Sequence, residues 1–293
     1  MNPETWHELS VRICPAGGPV APEVAEGPPF FVQGRSRLVV LLHGYNNTLS
    51  VARGYYAVFG GHLQDAYSDG GPLVPDLLAK FHWPGDANLG PVSFISYPFE
   101  IDDAENSAKK LAGFLRGLRG PGGAPMQLDI VAASLGCRVL LETIRELLPT
   151  LQQLAVHFGV VCLMAAAVPV DMMDPGERLE HTLEAPRRLL VLHSTGDRVL
   201  HYAFPLGQTA AGEGFFPTAL GRFGPPPWAP GEHVPVDELD HGEYWGAEVT
   251  AYETAKRLDL GPVLARAPER SLPRYDTPTR EMPTRDLPNY QGP

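Results

Sequence analysis

Residues 128–137 read Leu-Asp-Ile-Val-Ala-Ala-Ser-Leu-Gly-Cys. An apolar run ends on two alanines, then come Ser134 and Leu135-Gly136, and beyond them Val139, Leu140, Ile144 and Leu147 fall at helical spacing. A strand, a small-x-Ser-x-small turn and a helix make the pattern of a nucleophile elbow. The chemistry accounts for the residue types. A sharp turn lifts the hydroxyl clear of a sheet, small neighbours let adjacent backbone pass close by, and a helix beginning at the serine turns unpaired N–H groups toward a developing oxyanion. The first small position, usually glycine, is Ala132. An ordinary strand–helix turn with a capping serine looks the same locally, so the rest of the chain must discriminate.

Outward from the elbow, Leu38–Leu42, Val160–Val168 and Leu189–His193 are continuous apolar runs, which predict strands buried on both faces, and Gln127–Ala133 feeds Ser134. Leu9–Ile13, Val92–Tyr97 and Val234–Val236 are further strand-like runs, and residues 11–34, rich in proline and glycine, read as irregular. Three more helices are predicted. One is capped by Thr48, with Val51, Tyr55, Val58 and Phe59 inward. One runs from Asp102 or Asp103 to Leu118, with Ala104, Ala108, Leu111 and Leu115 inward. One lies between Gly242 and Leu258, with Val249, Tyr252, Ala255 and Leu258 inward. Strands alternating with helices imply a mostly parallel sheet covered on both faces. Ligands of such sheets bind beyond the carboxyl ends of the strands, where Ser134, His43-Gly44-Tyr45 and Asp197 fall.

The 293 residues are 44% hydrophobic with a net charge of −11. That supports a large core, and the lack of a basic stripe excludes nucleic acid as a partner. Cys14, Cys137 and Cys162 form no metal or disulfide pattern, and serine chemistry of the kind the elbow points to needs neither metal nor organic cofactor. The polar N-terminus lacks the basic and apolar regions of a signal peptide, and no apolar run approaches the roughly 20 residues of a membrane span. The expectation is a cytoplasmic chain without integral membrane contact.

Residues 1–263 read as one domain, within which residues 200–233, with Phe204, Phe215, Phe216, Phe223 and Trp228, form a lid or pocket loop. Residues 264–293 carry a five-residue repeat, with Pro268, Pro273, Pro278, Pro283, Pro288 and Pro293 in step, and read as an extended, disordered tail.

A serine nucleophile needs a base and an orienting acid, and on a sheet of this kind they follow in the order serine, acid, histidine. Asp197 follows the Leu189–His193 run, and Asp171, after Val160–Val168, is its rival. Of the later histidines, His201 is too near Asp197 in sequence and His233 precedes the last strand. His241, in Asp-His-Gly-Glu-Tyr-Trp before the final helix, is the expected base. The expected oxyanion donors are the N–H groups of Leu135 and Tyr45.

Together, Leu-Leu-His-Gly-Tyr-Asn-Asn-Thr (41–48), Phe-His-Trp-Pro-Gly (81–85), the elbow and Asp-His-Gly-Glu-Tyr-Trp (240–245) resemble an esterase- or lipase-like bacterial branch of the α/β-hydrolase superfamily, over roughly residues 36–258. The branch usually has histidine before the serine and methionine after it; here these are Ala133 and Leu135. The resemblance implies the α/β-hydrolase fold and a hydrolase with Ser134, Asp197 and His241 as its triad. It implies no particular substrate. His43, Gly44, Trp83, Tyr97, Ala133, Phe215 and Trp245 are the expected pocket residues. The reading is a serine esterase acting on a small-molecule ester through an acyl-enzyme. The alternatives are acyl transfer or amide cleavage at the same residues, or a non-catalytic binding protein of this fold.

Overall fold

The computed structural model describes residues 6–14, 17–27, 32–67, 77–85 and 97–264. The repeat tail beyond 264 and the strand-like stretch 92–96 lie outside the described residues. Eight strands form one sheet: β1 (His7–Cys14), β2 (Gly17–Gly27), β3 (Arg37–Leu42), β4 (Leu78–His82), β5 (Met126–Ala133), β6 (Val156–Met164), β7 (Arg188–His193) and β8 (Glu232–Pro235). Their order is β2-β1-β4-β3-β5-β6-β7-β8. Only the β1–β2 pair is antiparallel. The helices are α1 (Leu49–Asp65), α2 (Tyr97–Gly117), α3 (Leu135–Leu147), the short α4 (Phe204–Ala210) and α5 (Leu220–Phe223), and α6 (Glu248–Leu258). The mostly parallel sheet is the one expected from the alternation of apolar runs, and the architecture is the α/β-hydrolase fold that the resemblance implied. Among the described residues, no helix is long and apolar enough to cross a membrane.

The central strands β3, β5, β6 and β7 are the uninterrupted apolar runs, buried along nearly their whole length. Asp129 is the exception in the stretch that decides the fold. Its fully buried carboxylate accepts from Arg37 Nε at 2.6 Å and from the Val160 N–H at 2.7 Å. The β5–β6 register shifts there, because Gly159 and Val160 together face Asp129. The charge is thus satisfied far from Ser134, which follows the last residue of the same strand.

Three expectations need correction, and one strand, β4, has no counterpart among the predicted ones. Residues 17–27, inside the stretch read as irregular, form β2; this is an edge strand with shifted register, where Pro19 and Pro22 cost no central ladder bond. β4 was not recognisable, because Lys80 and His82 interrupt its apolar pattern; the Lys80 ammonium is accommodated by Glu8 Oε1 at 2.9 Å. In α1, capped by Thr48 as expected, the buried face is Ala52, Tyr56, Phe59 and Leu63, while Val51 is exposed. Tyr56 goes inward because its hydroxyl accepts the His43 N–H at 2.7 Å and donates to the Phe81 carbonyl at 2.8 Å. In α6 the inward positions are Thr250, Ala251, Thr254, Ala255 and Leu258, while Val249 is exposed. Both threonines bury their hydroxyls by donating them to backbone carbonyls, Thr250 to Tyr244 at 2.6 Å and Thr254 to Thr250 at 2.8 Å.

Candidate active site

Ser134 is the hinge between β5 and α3, at φ 54° and ψ −127°. A positive φ at a residue with a Cβ costs on the order of 1–3 kcal/mol and persists only where surroundings impose it. Here the Ser134 N–H donates to the Met164 carbonyl at 2.9 Å, and the Ser134 carbonyl accepts from the N–H groups of Cys137 and Ala167. Two glycines give the turn its room. A Cβ on Gly44 would stand 2.6 Å from Ser134 Cβ, and one on Gly136 would overlap the His43 carbonyl oxygen. Ala132 is extended backbone paired to Leu42 and Leu163, so that position does not require glycine.

Ser134 Oγ lies 2.8 Å from His241 Nε2, and His241 Nδ1 lies 2.7 Å from Asp197 Oδ2. The other carboxylate oxygen, Oδ1, accepts the Leu200 N–H at 2.9 Å. An ionised carboxylate only accepts, so His241 carries its proton on Nδ1 and leaves the Nε2 lone pair facing the serine hydroxyl. Asp197 is fully buried, whereas Asp171 is exposed and does not bond His241.

The loops carrying the acid and the histidine follow the neighbouring strands β7 and β8 and are tied together repeatedly. Ser194 Oγ donates to the Leu239 carbonyl at 2.8 Å, and the Thr195 N–H and hydroxyl donate to Asp237 Oδ1. The Arg198 guanidinium pairs with Asp240, whose Oδ1 also accepts the His241 N–H at 2.9 Å. The imidazole is therefore held from both ring and backbone.

The loop after β3 carries Gly44 and Tyr45 past Ser134. His43, fully buried, supports it from below. Its Nε2 accepts the Trp83 N–H at 3.3 Å, so Nδ1 is protonated and donates to the Gly44 carbonyl at 2.8 Å. The Trp83 ring stacks on His43 and donates its indole N–H to the His43 carbonyl at 2.8 Å. The Asn47 amide donates to the carbonyls of Gly44 and Tyr45 at 3.0 and 2.9 Å. Leu135 is the first residue of α3, where a helical N–H has no intrahelical acceptor.

Burial lowers the His43 pKa to about 3 from 6.5. The unfolded chain therefore binds a proton below pH 6.5 that the folded chain refuses. Stability contributed by neutral His43 is complete above pH 6.5 and is lost as pH falls toward 3, at about 1.4 kcal/mol per unit. Denaturant unfolding at pH 7, 6 and 5 is expected to show this fall, and His43→Leu to reduce it, the remainder coming from His82, whose pKa burial also lowers. An equal slope in the variant would contradict the assignment.

A cavity of about 440 Å³ opens over Ser134. Gly44, Ala133 and Trp245 line it as expected. His43 and Trp83 do not; they lie beneath the loop, where the Trp83 indole donates to the His43 carbonyl and the His43 ring bonds the Trp83 N–H and the Gly44 carbonyl. Phe215 is 85% exposed and lines no part of the cavity, since its segment turns outward after α4. Tyr97 opens α2 instead of ending a strand, and its side chain lies outside the described residues. Tyr45, Tyr55 and Tyr244 supply hydroxyl-bearing walls, and Leu200, Ala203 and Phe204 supply apolar ones. Among the described residues, no Asp, Glu, Lys or Arg lines the cavity. Sequence reasoning missed Tyr55, Leu200 and Tyr244 as lining residues. Leu200 and Tyr244 stand three residues from Asp197 and His241, a proximity that was the available signal.

The chain matches a family model described as "Alpha/beta hydrolase of unknown function (DUF900)" over residues 31–212. No curated protein matches it. Among solved structures, it is 14% identical to an esterase/lipase from an uncultured bacterium, covering 80% of each chain with a TM-score of 0.39. It is 13% identical to a hyperthermophilic esterase of the archaeon Pyrobaculum calidifontis, covering 76% of this chain and 74% of that one, with a TM-score of 0.38. It is 13% identical to mouse alpha/beta hydrolase domain-containing protein 10, covering 78% and 90%, with a TM-score of 0.39.

Proposed function

We infer that this chain, which belongs to the family of alpha/beta hydrolases of unknown function (DUF900), cleaves carboxylic esters of small molecules with Ser134 as nucleophile. Membership makes it a hydrolase; the nucleophile and the ester are our reading. One observation carries it. Residues 107 and 44 positions apart in sequence meet as a hydrogen-bonded row, Ser134–His241 at 2.8 Å and His241–Asp197 at 2.7 Å, at the floor of a cavity.

In this reading His241 Nε2 takes the hydroxyl proton as Ser134 Oγ attacks the acyl carbon, and Asp197 stabilises the imidazolium. The carbonyl electron pair becomes an oxyanion held by the N–H groups of Leu135 and Tyr45, each worth roughly 3–4 kcal/mol in the transition state. The intermediate collapses, the alcohol leaves with the proton from His241, and water repeats the sequence on the acyl-enzyme. An uncharged cavity wall favours neutral acyl groups, since an ionised substrate would lose hydration without a partner. Residues 200–233 act as the lid or pocket loop of a single domain, 1–263, and contribute Leu200, Ala203 and Phe204 to the cavity wall.

Labelling with a fluorophosphonate tests the nucleophile. The wild type is expected to gain one adduct, on the peptide containing Ser134, and Ser134→Ala to gain none. Undiminished labelling of the folded variant would dismiss the assignment. A series of p-nitrophenyl esters and matched anilides then separates ester from amide cleavage.

A further inference from the structure

We propose that the outer face of residues 199–216 is a docking surface for a neutral, zwitterionic lipid bilayer, placed so that an ester leaving the bilayer enters the cavity directly. The docking is independent of the chemistry proposed above; only the delivery of substrate rests on it.

The chain from Val199 through α4 is helical, passing from a π-turn (Val199–Ala203) into Phe204–Ala210. Its inward positions are Leu200, Phe204, Gly207 and Gln208. Its exposed positions are Val199, Tyr202, Ala203, Leu206 and Ala210, spaced i, i+3, i+4, i+7 and i+11. A helix facing water on one side normally carries polar residues there. In α2 the exposed positions are Asp102, Asn106, Lys109, Gly113, Arg116 and Gly117. On the 199–210 helix the outer stripe is apolar instead, with Tyr202 at 66% and Leu206 at 56% exposure.

Phe215 and Phe216 extend the stripe. The Phe216 N–H donates to Thr209 Oγ1 at 2.8 Å, which brings the pair back against the C-terminal end of α4. Phe216 sits at φ 50°, a strained conformation for a bulky residue, and its ring remains half exposed, edge-on to Phe215. Local strain is thus maintained while two aromatic rings stay in water.

Charge decides what covers this face. Residues 199–231 contain one acidic and one strongly basic side chain, Glu213 and Arg222, where the chain's 19% of charged residues would give about six. Glu213 turns inward to the buried Arg138 at 3.0 Å, and the Arg222 guanidinium lies over the Phe223 ring. The stripe therefore offers no complement to a charged partner. In a chain of net charge −11 it provides no attraction to an anionic membrane either. An uncharged apolar helix face with flanking aromatics suits insertion at a zwitterionic lipid–water boundary. The stripe is also continuous with the cavity, because Val199 and Ala203 are exposed and at the same time line its wall. A hydrocarbon chain moving from bilayer to cavity along them passes beside the Arg198–Asp240 ion pair, whose opposite charges leave no net charge at the entrance.

Flotation of the full chain with phosphatidylcholine vesicles tests this. The wild type and Ser134→Ala are expected to float equally. Tyr202→Ser/Leu206→Ser/Phe216→Ser is expected to lose at least about tenfold in partitioning, because three apolar side chains leave the boundary. Ile13→Ser, at 56% exposure elsewhere, serves as control and is expected to float like the wild type. Should the triple variant fail to fold, Leu206→Asp carries the same expectation. Failure of the wild type to float, binding confined to vesicles containing anionic lipid, or a wild-type dimer that the variant converts to monomer would each overturn the proposal. The last outcome would assign the face to a second copy. None of these readouts depends on catalysis, so a chain without esterase activity is still expected to float.

Discussion

Ser134→Ala and His241→Ala are each expected to lower kcat for an activated ester by on the order of 10⁵- to 10⁶-fold, and the double variant to be no slower than either single one. The non-additivity follows from the geometry. In the proposed mechanism the hydroxyl is a nucleophile only through the imidazole 2.8 Å away, and that imidazole acts only on that hydroxyl. Removing either leaves the same residual, namely substrate binding and the oxyanion donors of Leu135 and Tyr45. Both substitutions should preserve the fold. The strained turn at Ser134 is fixed by backbone bonds to Met164, Cys137 and Ala167, and the His241 loop by Asp240 and its neighbours. Thermal unfolding of each variant checks this. Turnover by His241→Ala within about tenfold of wild type, or multiplicative losses in the double variant, would remove the shared role.

Asp197→Asn is expected to cost about 10⁴-fold in kcat, with KM little changed, and Asp171→Asn to be silent. The Asp197 carboxylate accepts from both His241 Nδ1 and the Leu200 N–H. An asparagine keeps one acceptor oxygen and presents an NH₂ group to the other partner. If the oxygen stays with Leu200, the amide donates to Nδ1, which places the imidazole proton on Nε2, where it faces Ser134 instead of accepting from it. A loss in Asp171→Asn greater than in Asp197→Asn would reverse the choice of acid.

The fold was legible wherever burial is two-sided. Leu38–Leu42 and Val160–Val168 read as interior strands, and the structure places Leu38–Leu42 and Val160–Met164 at the centre of the sheet, the second strand ending four residues before its apolar run does. Legibility failed where a buried polar atom finds its partner in a remote segment. Tyr56, Thr250, Thr254, Lys80 and Asp129 all read as surface-compatible residues, yet each is buried. The Tyr56 hydroxyl bridges β3 to β4, and this turns α1 by one position relative to its apolar pattern. The same reason hid the role of His43. An HG dipeptide after a strand announces a tight loop, but the partner that makes the histidine a support, Trp83, comes 40 residues later.

For the site, the sequence alone determined the local device at residues 128–137. Strand, serine, small residues and helix follow from neighbouring side chains, because backbone conformation is set over a few residues. It also limited the acid to Asp197 or Asp171 and ordered the histidines. Which of them meet was decided only by the tertiary structure. The crossovers put β7 and β8 side by side, so the loops after them are cross-linked through Ser194, Thr195 and Arg198, and that linkage brings Asp197 and His241 to Ser134 while Asp171 stays in solvent. The same holds for Phe215, a pocket residue by composition and an outward one by position. Periodicity reports what a segment can bury, and only the packing of distant segments reports against what.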